Sequence, residues 1–185
     1  MSVLVRAAGP ADFAAIARLT VAAYEADGQL AGGHGYQRVL ADVPARAVAG
    51  ELLVAVDPAG PVLGSVTFVL PGSPYAELAG PGEAEFRMLA VDPAAQGRGA
   101  GAALVAACLD RAVAAGCTAV VICVRSFSAP ARRLYARYGF VRLPERDWSP
   151  VPGVDLLALR LALPTAGTAG SAAGSAAGGS GELVG

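Results

Sequence analysis

The chain has 185 residues, enough for one domain with a sizeable core, and a formal net charge of −1. All 14 basic residues are arginine, and neither lysine nor asparagine occurs, a bias that points to a GC-rich coding genome rather than to a function. A near-neutral chain without a basic arm or interleaved aromatic and basic residues offers no field for nucleic acid or an anionic membrane, so neither is expected as a partner.

In chain order, the sequence alternates strand and helix patterns. Residues 3–6 form a short first strand. Pro10 and Asp12 suit a first helical turn, and Phe13, Ile16, Leu19 and Ala23 recur at helical spacing. Glycine-rich residues 28–35 break that helix, and residues 36–49 read as a second, weaker one. Residues 52–56 and 63–70, joined by Asp57-Pro58-Ala59-Gly60, predict a hairpin. Residues 71–82 carry Pro71, Gly72, Pro74, Gly80, Pro81 and Gly82 and read as an exposed connection. A strand follows over 83–92, then a helix over 99–115 with Leu104, Val105, Cys108, Leu109 and Ala112 on one side and Gly116 as its stop. The β-branched run 119–124 predicts a strand buried on both faces. Ser128 as cap and Pro130 in the first turn open another helix, which Gly139 ends. Residues 140–143 and 154–163 complete the sheet. From 164 onward the chain is almost wholly glycine, alanine, serine and threonine, and a disordered tail is expected over 164–185 after a domain over 1–163.

Arg6 interrupts the first apolar stretch, which argues against a signal peptide. The longest strongly apolar stretch without a central charge, residues 112–124, is too short to span a bilayer. Cys108, Cys117 and Cys123 are odd in number, lie in apolar surroundings and read as small buried hydrophobes in a reducing compartment. Their spacing, with one histidine in the chain, suits no zinc site, so no metal is expected and a cytoplasmic location is the default.

The segment with most chemical content is Gln96-Gly97-Arg98-Gly99-Ala100-Gly101, which follows a strand and opens a helix. Such a start leaves backbone N–H groups pointing outward with the positive end of the helix dipole behind them. Glycines remove the Cβ atoms that would hold a bulky anion away, so the segment reads as a cradle for phosphate or pyrophosphate. Gly97-x-Gly99-x-x-Ala102 also fits a dinucleotide fingerprint. However, five residues separate strand from glycines, and the next strand ends in Arg125 where that fingerprint wants an acid. The absence of lysine excludes a P-loop.

With Val91-Asp92-Pro93 upstream, the loop resembles the acetyl-CoA loop of the GNAT superfamily of N-acetyltransferases. Further on, Ala131-Arg132-Arg133-Leu134-Tyr135-Ala136-Arg137-Tyr138-Gly139-Phe140 resembles that family's A-x-x-L-Y-x-x-x-G-F helix and turn. The likeness extends more loosely over residues 3–163. It implies an α/β fold: a central mixed, mostly antiparallel sheet with flanking helices and a splay between the fourth and fifth strands. It also implies acetyl-CoA as co-substrate. Its pantetheine arm would pair with the backbone of Met88, Leu89, Ala90 and Val91, and its pyrophosphate would lie on Gln96, Gly97, Arg98, Gly99, Ala100 and Gly101. Ser128 stands where many relatives have an asparagine that contacts the cofactor arm.

The reaction implied is acetyl transfer to a primary amine by direct attack in a ternary complex, which needs a base for the amine and an acid for the departing thiolate. The family likeness assigns the acid to Tyr135, with Tyr138 second; the plain alternative is that Tyr135 is only packed. Glu83, Glu85 and Arg87 alternate onto one strand face, and Glu85 is the expected base or amine holder. Against it, Arg87 could simply pair with Glu85, and a bulge could reverse which residues face the site. The resemblance puts His34 near the acceptor cleft, but it reads rather as a solvated loop histidine; Trp148 either walls the acceptor site or covers the core; and Arg132, Arg133 and Arg137 read as a solvated helix face. A non-catalytic acyl-CoA-binding module is the alternative function. The acceptor, expected as a small-molecule amine, the acyl length and the oligomeric state, a homodimer included, stay open.

Overall fold

The structure, a computed structural model, describes residues 3–31, 35–58 and 60–164. Seven strands form one sheet: β1 (Leu4–Ala7), β2 (Glu51–Val56), β3 (Val62–Val69), β4 (Glu83–Val91), β5 (Ala119–Arg125), β6 (Val141–Arg142) and β7 (Leu156–Ala162). The helices are α1 (Phe13–Ala26), α2 (Tyr36–Ala41), α3 (Val43–Ala49), α4 (Ala100–Ala114) and α5 (Ala129–Arg137). Strand order is β1-β2-β3-β4-β5-β7-β6. Every neighbouring pair is antiparallel except β4 and β5, which run parallel across the connection through α4. This is the mixed, mostly antiparallel sheet that the family resemblance implies.

Side-chain alternation along β2 assigns the two layers. Leu52, Val54 and Val56 pack with Ile16 of α1 and Val43 of α3 on one face. Leu53 and Ala55 join Leu104, Val105 and Cys108 of α4 on the other. Ile16, Leu19 and Thr20 are the fully buried stripe of α1, at the three- and four-residue spacing of a helix. Helix α4 stops at Gly116, whose φ of +73° is the left-handed conformation that glycine adopts without cost. There the Cys117 N–H donates to Ala112 O at 2.9 Å and the Gly116 N–H to Val113 O at 3.0 Å, the double closure of a Schellman motif.

Two local expectations change. The helix expected over 36–49 is two helices, because Pro44 cannot continue the backbone ladder; Asp42 breaks it and accepts the Ala45 N–H with Oδ1 at 3.2 Å. Ser128 stands at the N-cap of α5, but its side chain makes no capping bond.

Strands β4 and β5 pair only at Glu83–Ala119, Ala84–Val120 and Glu85–Val121, and beyond that β4 has no partner on this side. On its other side the register with β3 slips between Ser65–Ala90 and Thr67–Arg87, so Met88 and Leu89 together oppose Val66. Met88, with φ of +52°, is the one non-glycine residue at positive φ among the described residues. A bulge with a strained residue thus lies where the two strands part. Among the described residues no helix is long and apolar enough to cross a membrane.

Candidate active site

The parting strands open a cavity of about 700 Å³. Its walls include Phe86, Arg87, Met88 and Leu89 of β4, Cys123, Val124 and Arg125 of β5, and Ser128 and Tyr135 of α5; Tyr24 of α1 and Tyr36 of α2 close the far side. An open strand edge between two layers is the kind of gap that an extended, amide-bearing chain can fill as an added strand.

Past Val91 the chain turns through Pro93–Ala95, where Asp92 Oδ1 accepts the Ala94 N–H at 2.9 Å, and reaches the glycine loop. Gly97 and Gly99 have φ of +78° and +86°, so both require glycine for the backbone alone. A Cβ on either would meet nothing within 4 Å, which leaves open space in front of the loop. The N–H groups from Gly97 to Gly101 find no acceptor among the described residues, and the first helical bond runs from Ala103 N to Gly99 O at 3.0 Å. Unpaired donors, a helix N-terminus and open space are what a pyrophosphate needs. Gln96 is exposed, whereas the Arg98 side chain is ion-paired with Asp57, so Arg98 fastens the loop to the β2–β3 hairpin and offers its main chain only.

Tyr135 is 6% exposed, between Phe86 at 5.9 Å and Phe140 at 5.8 Å between ring centroids. Its hydroxyl has no hydrogen-bond partner among the described residues, and burial holds the phenol well above its ordinary range. It therefore stays protonated at neutral pH. Ser128 is buried beside it in the same wall. Tyr138 is occupied elsewhere: its hydroxyl donates to Ala102 O at 2.6 Å and ties α5 to α4.

Glu85 shares its strand face with Glu83 and Arg87, as the alternation predicts, but its carboxylate does not reach the cavity. It is fully buried, and Oε2 accepts the N–H groups of Glu77, Leu78 and Ala79 at 2.9, 2.8 and 3.0 Å. It does not line the cavity; it anchors the loop that precedes β4. Glu83 does the same lower down, accepting from Arg146, Arg160 and the Gly80 N–H. Arg87 donates to Tyr75 O at 3.0 Å and pairs with Glu77 at 2.7 Å; Glu85 is farther, at 3.8 Å. One face of β4 thus staples a proline- and glycine-rich loop into a wall.

That loop delivers Glu77, which does line the cavity and whose side chain is 26% exposed. Burial raises its carboxylate above the usual range, Glu85 adds to the rise, and Arg87 opposes it. No periodicity marks Glu77 in the sequence; the only hint is the surplus of charge on the β4 face that holds its loop. Tyr24 and Tyr36 were equally silent. Their rings lie 6.0 Å apart, and burial raises both phenols.

Cys108 is a buried hydrophobe as expected, but Cys123 faces the cavity, its thiol pushed up to about 11 by burial against the opposing Trp148 hydrogen bond. Trp148 donates from Nε1 to Cys123 Sγ at 3.3 Å and so covers the sheet. His34 lies outside the described residues, as does the tail from 165. Among the described residues no three side chains are grouped to hold a metal ion.

The model of the acetyltransferase (GNAT) family matches residues 33–140, more than half of the chain, and the protein belongs to that family. The solved structures it is similar to carry the same fold. A histone acetyltransferase HPA2 and related acetyltransferase of Corynebacterium glutamicum is 26% identical, with TM-score 0.65 over 89% of this chain and 99% of that one. The ribosomal-protein-S18-alanine N-acetyltransferase of Escherichia coli is 18% identical, with TM-score 0.65 over 91% and 98%. The PaiA N-acetyltransferase of Thermoplasma acidophilum, solved with coenzyme A, is 13% identical, with TM-score 0.66 over 88% and 100%. No curated protein matches the chain by sequence.

Proposed function

We propose that this acetyltransferase moves the acetyl group of acetyl-CoA to the primary amine of a small-molecule acceptor, in a ternary complex and without an acyl-enzyme. The observation that carries the reading is the parted β4–β5 pair beside a glycine loop with unpaired N–H groups. The coenzyme A in the Thermoplasma neighbour and the family membership support the co-substrate. Gly97 to Gly101 would cradle the pyrophosphate, the open edge of Met88 to Val91 would pair with the pantetheine amides, and the Ser128 hydroxyl would face the arm.

Nitrogen attack on the thioester carbonyl forms the C–N bond and breaks the C–S bond. In this reading Glu77 takes the amine proton, since its carboxylate lies in the cleft with raised basicity. Tyr135 gives a proton to the leaving sulfur and regains one from solvent. A phenol near 10 and a thiol near 8.5 are mismatched in water. Burial raises the Tyr135 phenol as well as a thiol in the same wall, so the donor role rests on the place of Tyr135 in the cavity rather than on matched acidities. Glu85 then serves by holding the Glu77 loop.

The test is calorimetric titration with acetyl-CoA and coenzyme A, followed by an amine screen reading free thiol. Saturable binding that Gly99→Val weakens, with thiol release on adding an amine, supports the reading. Folded protein that binds neither form of coenzyme A refutes it. Binding without turnover by any amine would leave the non-catalytic acyl-CoA module.

A further inference from the structure

Resting on that reading, we propose that the acceptor is an anionic amine, a small amine that also bears a carboxylate or phosphate, and that Arg125 is the residue that holds the anionic group.

The charges around the cavity do not balance. Arg38, Arg87 and Arg125 line it, and among the described residues Glu77 is the only carboxylate that does so. Glu77 is consumed by Arg87 in the ion pair at 2.7 Å. Neither Arg38 nor Arg125 has a carboxylate within ion-pair distance among the described residues, so the wall carries two uncompensated cations. The tyrosines and Cys123 there are neutral at pH 7, since burial raises each of them.

Arg125 has the stronger claim of the two. It ends β5 beyond the last pairing with β4 at Val121, half-buried, with its guanidinium 4.9 Å from the Phe127 ring centroid. Its Nε is sealed from solvent and has no acceptor among the described residues, so a ligand would meet the outer N–H groups of the guanidinium. A buried donor without an acceptor is costly, and a guanidinium takes planar oxoanions through paired N–H bonds. Phe127, 51% exposed, orients the guanidinium plane but supplies no acceptor for it. Arg38 is exposed on α2 at the mouth, where it adds attraction during entry.

A third cation deepens the field. Arg46 is fully buried and among the described residues bonds only neutral groups, Thr67 Oγ1 and Leu40 O, each at 3.1 Å, with no partner for its Nη2. Its charge acts on Tyr24 and Tyr36, which line the acceptor side. Such a site rejects polyamines and lysine-rich peptides by like-charge repulsion, and one side chain that accepts the anion fixes the amine's direction toward the thioester.

The experiment compares acceptors that differ only in the anion: α-amino acids against their carboxamides, and O-phosphoethanolamine against ethanolamine, with spermidine as the polycation. Wild type is expected to favour one anionic series in kcat/KM by about 10-fold or more. Arg125→Gln removes that preference, chiefly through KM, while acetyl-CoA affinity and turnover of the neutral partner change little. Arg132→Gln on the outer face of α5 changes neither. Which series responds tells carboxylate from phosphate. Equal use of neutral and anionic amines, preference for spermidine, or a preference that survives Arg125→Gln overturns the inference. So does normal acetyl-CoA binding with neither turnover nor calorimetric binding of any anionic amine. Failure to bind acetyl-CoA would instead sink the acetyl-transfer reading beneath it.

Discussion

Replacing Glu85 with glutamine separates a base from an anchor. The carboxylate accepts three backbone N–H groups at 2.8 to 3.0 Å, and the carboxamide oxygen keeps an acceptor in place without the charge. Bonds to a charged group contribute about 1.5–3 kcal/mol each and neutral ones about 0.5–1.5, so the loss is roughly 1 kcal/mol per bond. Because the loop can draw on solvent, about 2 kcal/mol in total is expected. For a chain of this length that lowers Tm by roughly 4–8 °C. A slackened loop also misplaces Glu77, so acceptor KM rises more than kcat falls, and the acidic limb of the pH–rate profile survives. The assays are a thermal melt and kcat and KM across pH 5–9. An unchanged Tm with a loss of about 100-fold or more in kcat and no acidic limb would refute the anchoring role and restore Glu85 as the base.

Glu77→Gln is expected to flatten the acidic limb of kcat/KM, which lies above the ordinary carboxylate range because deprotonated Glu77 is the active form; a profile identical to wild type would remove it as base. Tyr135→Phe should lower kcat by roughly 10- to 100-fold with Tm unchanged, since the ring packing stays and the hydroxyl has no partner to lose; full turnover would leave Tyr135 only packed. Gly99→Val forces a β-branched residue to positive φ and a side chain into the space before the loop, so acetyl-CoA affinity should fall about 10-fold or more by calorimetry. With its thiol at about 11, Cys123 is almost wholly protonated at pH 7. Its labelling by iodoacetamide, read by peptide mass spectrometry, should rise about tenfold per pH unit toward pH 10.

Much of the fold was legible because glycine and β-branched residues punctuate this chain clearly. Gly97, Gly99, Gly116 and Gly139 all take the positive φ that their places in the pattern imply. The split of α2 from α3 was missed because Pro44 lies inside an apolar stretch that otherwise reads as continuous. The site divided along another line. The glycine loop and Tyr135 depend on local patterns, so sequence order reaches them. Glu77 and the true surroundings of Glu85 depend on a loop folding back onto β4, a contact made by backbone N–H groups that no side-chain periodicity records. Arg125 was noted only for breaking a dinucleotide fingerprint, because its lack of a partner is a property of space rather than of order.

The bulge at Met88 acts as a reading-frame shift in the strand. Before it, Ala84 and Phe86 point into the core beside α4; after it, Leu89 and Val91 do, so the parity of inward positions changes from even to odd. Two adjoining stretches of one strand therefore obey opposite rules; in the proposed function the first builds the acceptor wall and the second offers its main chain to the co-substrate. Deleting a single residue at 88 would repair the ladder with β3 and relieve the strained φ. It would leave Ala84, Phe86, Leu89 and Val91 all facing the core in plain alternation, so the deletion removes the unpaired residue itself and not the packing of the strand. The defect in hydrogen bonding is thus carried without loss of packing, and in the proposed function it divides the nine residues of β4 between acceptor and co-substrate.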